Sequence, residues 1–163
     1  MNDDLRPRRS VLYMPAANAR ALEKARDIPA DALIFDLEDA VAPDAKPVAR
    51  EQAAEAVRSG AYGAKELTIR CNGLDTPWGA DDLAVAAAAG PSAVVIPKVS
   101  GPQALAEVAR RLEAAGAPDH TRIWAMVETP EALFNVRQIA GFERVAMLRS
   151  EEHTSELQSR GLI

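Results

Sequence analysis

The chain has 163 residues, of which 48% are hydrophobic and 26% charged, so it can bury a globular core and is not a disordered polymer. Its formal net charge is −5, which argues against non-specific binding to nucleic acid, and a single cysteine excludes an internal disulfide. No apolar run approaches the ~20 residues of a membrane span, and no signal peptide is evident. We therefore expect a cytoplasmic α/β protein that binds neither nucleic acid nor membranes.

Six short β-rich runs alternate with helical patterns along the chain. They cover residues 10–14, 32–37, 67–71, 93–99, 123–127 and 144–148. Several are continuously apolar, as in parallel strands that are buried on both faces. The alternation predicts a parallel sheet with right-handed crossovers. This sheet is either an open doubly wound sheet or part of a (β/α)8 barrel, and length alone favours the open sheet because a full barrel needs ~250 residues.

Short polar residues predict where the helices between these strands begin. Asn18 and Asp44 are predicted to cap the first two helices, and Ser100 and Thr129 two later ones, because such side chains accept hydrogen bonds from the first helical turn. The residues of the last helix that we expect to face the sheet are Leu133, Val136 and Ala140.

Ionisable side chains lie at the carboxyl ends of four of the predicted strands. They are Asp36, Glu38 and Asp39 at the end of the second strand, Arg70 at the end of the third, Lys98 at the end of the fourth and Glu128 directly after the fifth. Reactive residues of parallel α/β folds gather at the carboxyl ends of the strands. Glu128 and one acid of the second group suit Mg²⁺, whereas Arg70 suits a substrate carboxylate or an enolate oxygen. A metal and an arginine in one pocket would polarise a keto acid and stabilise an enolate.

The same side chains also have structural interpretations. Glu38 or Asp39 could pair with a neighbouring cation in a buried network, and Glu128 could serve only as a carboxylate favoured by a helix dipole. Cys71 is predicted to be a small core residue rather than a nucleophile.

The composition of the chain changes after residue 148. Residues 149–159, RSEEHTSELQS, resemble the in-frame translation of a common short-read sequencing adapter. We therefore expect residues 1–148 to be native sequence and residues 149–163 to be a non-native tail. With that expectation, the length argument against a barrel no longer holds.

Five segments together resemble one known family. They are RRSVLYMPAANARALEKA, LIFDLEDAVAPDAKPVAR, TIRCNGLDTPW, VVIPKV and VETPEALFNV, and they are similar to the citrate lyase β-subunit-like branch of the HpcH/HpaI aldolase/citrate lyase superfamily. The resemblance implies a (β/α)8 TIM barrel, of which residues 1–148 would form about the first five to six βα units, assembled as homotrimers or hexamers. It also implies an Mg²⁺-dependent carbon–carbon lyase that cleaves or forms a malyl-, citramalyl- or citryl-type 3-hydroxyacyl-CoA. The products are an acyl-CoA and a 2-keto acid such as oxaloacetate.

The resemblance assigns roles to individual residues. Arg70 matches an arginine that binds the substrate's carboxylate and carbonyl region, and Glu128 matches a glutamate that ligates Mg²⁺ and contacts substrate. Glu38 and Asp39 match the acidic corner of the family's pocket, which contacts substrate. The positions where family members contact coenzyme A or its phosphates are Tyr13, Asn18 and Lys24.

Two other interpretations remain open at this point. The family's second metal-binding aspartate and the aspartate of its lid would both fall after Leu148, so the chain could be a catalytically dead truncated product. An Mg²⁺-dependent phosphoryl-receiving signalling domain also combines strand-end acids with a strand-end lysine. That domain carries an acidic pair at the end of its first strand, whereas the first predicted strand here ends at Met14.

Overall fold

The computed structural model describes residues 7–150, which form six strands and six α-helices. The strands are β1 (Val11–Pro15), β2 (Ala32–Asp36), β3 (Glu66–Arg70), β4 (Ala93–Ile96), β5 (Arg122–Met126) and β6 (Val145–Arg149). The helices are α1 (Ala19–Lys24), α2 (Lys46–Arg58), α3 (Gly79–Ala89), α4 (Pro102–Ala114), α5 (Pro130–Phe134) and α6 (Val136–Ala140). All six predicted strands are confirmed, although β4 is three residues shorter than predicted.

The strands form one parallel sheet whose spatial order is the same as their order in the sequence, β1-β2-β3-β4-β5-β6. A doubly wound sheet reverses its strand order at a switch point. No reversal occurs between β1 and β6, so the open doubly wound alternative is wrong. Consecutive order with helical crossovers is the winding of a (β/α)8 barrel, and the described residues form an arc of five βα units and a sixth strand.

The two faces of the sheet differ in what covers them. One face packs against the helices in a large apolar cluster that includes Leu33, Phe35, Ile69 and Leu105. The other face forms a cluster built from strand residues alone, of which Trp124 is the largest. β1 and β6 lie at opposite ends of the sheet, yet the Arg149 guanidinium lies 5.1 Å from the centre of the Tyr13 ring. The sheet therefore curves around its helix-free face, as the inside of a barrel requires.

The inside of this arc is filled at the amino ends of the strands. Arg8 donates from Nε to Glu66 Oε2 (2.6 Å) and from Nη2 to Glu66 Oε1 (2.8 Å). Its guanidinium also lies 5.4 Å from the ring centre of Trp124. These side chains occupy the inner face where the strands begin, so the strand-end residues predicted to be functional lie at the opposite end.

Two of the predicted helix caps are confirmed. The Oδ1 atom of Asn18 accepts a hydrogen bond from the Ala21 amide (3.1 Å), and Thr129 Oγ1 accepts one from the Ala132 amide (3.2 Å). Both residues precede their helices with extended backbone, as N-caps do.

The other two predicted caps are wrong. Asp44 lies within a short 3₁₀ turn and makes no capping bond, because α2 begins only at Lys46. Ser100 is one residue too early, since Gly101 is the N-cap of α4. The proline at the first position of α4, Pro102, has a backbone angle already suited to a helix, and this places the helix start after Gly101.

The predicted inward face of the last helix is also wrong. The residues concerned are exposed: Leu133, Val136 and Ala140. The helical pattern breaks at Asn135, whose side-chain amide donates to the Ser100 carbonyl (2.8 Å), and two five-residue helices result. The break turns each short helix differently, so Ala132 and Ile139 are buried instead.

The predicted tail, residues 149–163, lies mostly outside the described residues. Arg149 is the last residue of β6, where it pairs in register with Met126, and Ser150 follows it. No helix within residues 7–150 has the length and apolar character needed to cross a membrane.

Candidate active site

Arg70 is held by Asp36 in a two-pronged ion pair at the carboxyl ends of β3 and β2. The two residues are register partners in neighbouring strands. Arg70 donates from Nε to Asp36 Oδ1 (2.7 Å) and from Nη2 to Asp36 Oδ2 (2.8 Å), and both side chains are buried. Burial disfavours the charge on Arg70, but the hydrogen bonds and charge of Asp36 outweigh it, so the pKa of Arg70 is raised. The site therefore contains a permanent and fixed cation.

The two predicted acids of the β2 loop lie on the third nitrogen of this guanidinium. Arg70 Nη1 is 3.2 Å from Glu38 Oε2 and 3.7 Å from Asp39 Oδ2. The Glu38 side chain is only 12% exposed, whereas that of Asp39 is 67% exposed. The structure thus brings together the predicted acidic corner and the predicted arginine, with Glu38 as the inner acid and Asp39 as the outer one.

The environment of Glu38 raises the pKa of its carboxyl from 4.5 to about 7. Burial is the main cause, and the negative charges of Asp39 and Glu128 add to it. The positive charges of Arg70 and Lys98 act in the opposite direction but do not cancel the shift. A carboxyl group with this pKa is present in both protonation states near neutral pH, which is the property of a group that transfers protons.

Glu128 is held by the main chain of the loop that follows β4. Its Oε1 atom accepts a hydrogen bond from the Lys98 amide (2.7 Å). Lys98 has a φ of +50°, the left-handed region that residues other than glycine rarely adopt. Residues with a strained backbone conformation are often found at functional sites. The contribution of Lys98 to the site therefore includes its amide as well as the ammonium predicted from the sequence.

The donor set can serve a metal that is shared with a ligand. Within residues 7–150, no group of three or more His, Cys, Asp or Glu side chains could enclose a metal ion. Mg²⁺ commonly uses one or two carboxylates and completes its shell with water and substrate oxygens. Glu128, which is fixed at one oxygen and sits at the same end of the sheet as Arg70, fits such an arrangement. Its role as a metal ligand remains a prediction.

The three residues predicted to contact coenzyme A lie in two different places. The Tyr13 ring is on the inner face, with the Arg70 guanidinium 4.8 Å from its centre, so it belongs to the site. Asn18 and Lys24 are exposed on α1, where Asn18 caps the first turn and Lys24 is the last residue.

A separate cavity of about 430 Å³ opens between α1 and α2, and it contains none of the strand-end residues. Its lining includes Leu22 and Tyr62, and its charged residues are three carboxylates and one guanidinium, so the lining carries a net negative charge: Glu23, Glu51, Glu55 and Arg26. Such a lining repels phosphate groups. We therefore do not place the phosphates of coenzyme A there.

Sequence reasoning missed a buried polar network behind the site. Lys46 donates to Asn72 Oδ1 (2.8 Å), Asn72 donates to Asp82 Oδ2 (2.6 Å), and Asp82 accepts from Arg50 Nε (2.8 Å). One signal was available: Asp82 lies four residues before Ala86, so helical periodicity places it on the buried face of α3. No comparable signal marked Lys46.

A singly wound parallel sheet with an arginine and carboxylates at its strand ends is the architecture of (β/α)8-barrel enzymes, whose active sites lie at that end. The particular family is also clear, because the model of the HpcH/HpaI aldolase/citrate lyase family matches residues 9–149. The chain belongs to this family, which confirms the resemblance seen in its motifs.

Three known proteins show what the chain is similar to. The (3S)-malyl-CoA thioesterase of Cereibacter sphaeroides is 44% identical over 156 residues, or 94% of this chain and 53% of that protein. The malyl-CoA/β-methylmalyl-CoA/citramalyl-CoA lyase of Chloroflexus aurantiacus is 35% identical over 84% of this chain and 42% of that protein. The Mycobacterium tuberculosis citrate lyase β subunit, solved with oxaloacetate and magnesium, superposes with a TM-score of 0.69 and 26% identity, covering 90% of this chain and 60% of that one. The chain thus spans about half the length of the curated relatives it matches.

Proposed function

We propose that the protein acts as an Mg²⁺-dependent carbon–carbon lyase on a 3-hydroxyacyl-CoA, with an acyl-CoA and a 2-keto acid as products. The observation that carries the proposal is the fixed Arg70 guanidinium with Glu38 at 3.2 Å on its Nη1 side. Two further facts support it: the chain belongs to a family of lyases and CoA-ester thioesterases, and a related structure holds oxaloacetate and magnesium.

Arg70 would bind the carboxylate and the carbonyl oxygen of the keto acid. Asp36 occupies its Nε and Nη2 atoms, and among residues 7–150 Glu38 is the carboxylate nearest to Nη1, so we place the bound keto acid beside Glu38. Because Asp36 already fixes the guanidinium, little reorganisation is needed when negative charge develops on the substrate oxygen. The fixed cation would thus stabilise the transition state more than the ground state.

Cleavage requires movement of one proton and one electron pair. The substrate hydroxyl loses its proton, the carbon–carbon bond breaks, and its electron pair moves to the thioester as an enolate, which is then protonated on carbon. Of the described residues, Glu38 is suited to take the hydroxyl proton because its pKa is about 7. Release of that proton to the acyl-CoA or to water would return Glu38 to its starting state.

Glu128 would hold Mg²⁺ through the carboxylate oxygen that does not accept from the Lys98 amide. Bound Mg²⁺ would polarise the carbonyl of the keto acid. We propose that Tyr13 contacts the substrate from the inner face, and that Asn18 and Lys24 lie along the path of the coenzyme A chain. The predicted assembly into homotrimers or hexamers is part of the same proposal.

Hydrolysis of the thioester is a second candidate reaction. The specific observation in its favour is the 44% identity to a (3S)-malyl-CoA thioesterase. In that reaction Glu38 would take a proton from the water that attacks the thioester carbonyl. The carbon–sulfur bond would then break, and the proton would pass to the departing thiolate. The two reactions differ in their products: cleavage of malyl-CoA gives acetyl-CoA and glyoxylate, whereas hydrolysis gives malate and free coenzyme A.

Binding is the first test, because it depends on the described strand-end site. Oxaloacetate is titrated into the chain by calorimetry with and without Mg²⁺, using Arg70→Lys and the matched surface change Arg110→Lys. We expect Mg²⁺-dependent binding that Arg70→Lys weakens at least about tenfold, since lysine cannot form the fork, and that Arg110→Lys leaves unchanged. Equal binding by all three chains would overturn the assignment of Arg70. Product analysis with (3S)-malyl-CoA then separates the lyase from the thioesterase.

A further inference from the structure

We infer that Lys46 is a positioning residue. It and Asp36 hold the main chain of Glu38 at both ends and thereby keep the Glu38 carboxylate against Arg70. The part of the inference that concerns ligand binding rests on the proposed function, whereas the part that concerns the loop does not. The three hydrogen bonds of the Lys46 ammonium go to the Leu37 and Glu38 carbonyls and to the Asn72 side chain, so it acts on the site through these neighbours.

The ammonium of Lys46 is fully hydrogen-bonded. Its Nζ atom donates to the carbonyl oxygens of Leu37 (2.8 Å) and Glu38 (2.9 Å) and to Asn72 Oδ1 (2.8 Å). These bonds use all three protons of the group. The residue is only 4% exposed, although lysine is among the residues least often buried. Its three acceptors come from the loops after β2 and β3, so Lys46 ties these two loops together.

The other end of the Glu38 backbone is held by Asp36. The Glu38 amide donates to Asp36 Oδ1 (2.9 Å), and the Ala40 amide donates to Asp36 Oδ2 (3.1 Å). The same carboxylate holds Arg70. Glu38 is therefore fixed through its amide by Asp36 and through its carbonyl by Lys46, which leaves its side chain a narrow range of positions beside the guanidinium.

A packing role alone does not account for a lysine at this place. Burial disfavours the charge and lowers the pKa of Lys46, whereas a methionine of similar length would fill the space without a charge. The surroundings instead compensate for the charge. The Trp78 ring centre lies 4.9 Å from Nζ, and Asn72, the third acceptor, is itself anchored by the buried Asp82. The polar network behind the site thus serves to place one ammonium under the Glu38 loop.

Amide hydrogen exchange tests the loop part of the inference. In Lys46→Met the Glu38 and Ala40 amides should exchange at least about tenfold faster relative to the amides of β5, because the loop opens without global unfolding. Leu105→Ala, a change at a buried residue of α4, is the control for a general loss of stability. In this variant, exchange in the loop should not become faster relative to exchange in β5. Lys46→Arg keeps the charge and can reach part of the acceptors, so it should restore part of the protection. If Lys46→Met does not fold, the comparison of Lys46→Arg with the wild-type chain takes its place as the test.

The inference would be overturned if, in every variant, the Glu38 and Ala40 amides exchanged only as fast as global unfolding of the chain allows. Loop protection in Lys46→Met equal to that of the wild-type chain would also overturn it. If Lys46→Met does not fold, the same conclusion would follow from a Lys46→Arg chain in which exchange in the loop is accelerated, relative to wild type, no more than exchange in β5. For the binding part, Lys46→Met should weaken oxaloacetate binding about tenfold, whereas Leu105→Ala should not. Faster loop exchange with unchanged binding would overturn that part. A wild-type chain that binds no oxaloacetate would contradict the proposed function, while the exchange result would still decide the role of Lys46.

Discussion

The Arg70 guanidinium and the Asp36 carboxylate lie at the same level of β3 and β2 and share two hydrogen bonds of 2.7 and 2.8 Å. Parallel register places the two residues side by side, and the pleat turns both side chains to the inner face. The orientation of the proposed substrate-binding cation is thus determined by the pairing of two strands. A change in that pairing would move the cation, even if no residue of the site were replaced.

Removal of Asp36 should lower the free energy of unfolding by more than the loss of its own contacts would explain. In Asp36→Ala the buried charge of Arg70 loses its partner, and we expect a loss of about 3–5 kcal/mol in the free energy of unfolding. The double variant, Asp36→Ala with Arg70→Met, should lose clearly less free energy of unfolding than the two single variants lose together. Urea unfolding of the four chains measures this coupling, and strictly additive losses would show that the pair contributes nothing.

The raised pKa of Glu38 predicts a dependence of stability on pH. An acid whose pKa rises on folding binds more protons in the folded chain than in the unfolded one between the two values. Its contribution is therefore present below about pH 4.5 and is lost as the pH rises to about 7. Glu38→Gln should remove this loss, so the variant should gain stability relative to wild type between pH 4.5 and 7.5. Urea unfolding across that range would show parallel curves if Glu38 did not titrate there.

The left-handed backbone of Lys98 predicts that glycine at this position gives a more stable chain than alanine, which is the reverse of the usual order. Alanine normally stabilises a chain relative to glycine, but at a φ of +50° the Cβ atom costs about 1 kcal/mol or more. We therefore expect Lys98→Gly to be more stable than Lys98→Ala, with the amide still donating to Glu128. Thermal unfolding of the two variants gives the comparison. A more stable alanine variant would mean that Lys98 has an ordinary conformation.

Glu128 should matter for metal-dependent binding but little for the fold. We expect Glu128→Gln to weaken oxaloacetate binding at least about tenfold when Mg²⁺ is present and to have little effect when it is absent, because a neutral amide is a poor ligand for a hard cation. Glu131→Gln, three residues further along and exposed, is the matched control. An equal loss with and without Mg²⁺ would assign Glu128 to the ligand rather than to the metal.

Cys71 should be unreactive in the folded chain. It is 1% exposed, and burial raises the pKa of its thiol well above the ordinary value, so almost no thiolate is available to react. Mass spectrometry after a short exposure to iodoacetamide should show no label in buffer and complete labelling in urea. Rapid labelling without urea would contradict the core position that both sequence and structure assign to this residue.

The sequence was informative where one local signal decides the structure. Apolar runs located all six strands, and the charges at their carboxyl ends indicated Arg70, Glu38 and Glu128. It was less informative where distant contacts decide. The break at Asn135 depends on a hydrogen bond to Ser100, thirty-five residues away, and no periodicity marks it. Lys46 likewise looks like any lysine at a helix start, because its acceptors are supplied by two loops that only the folded sheet brings together.

Each strand of the described sheet pairs only with the strands that precede and follow it in the chain. A growing polypeptide could therefore add one βα unit at a time, each new strand docking on an edge that is already in place. Arg70 would meet Asp36 as soon as β3 docks, well before Glu128 is synthesised. The proposed anion-binding half of the site could thus assemble during translation, and the proposed metal-binding half only later.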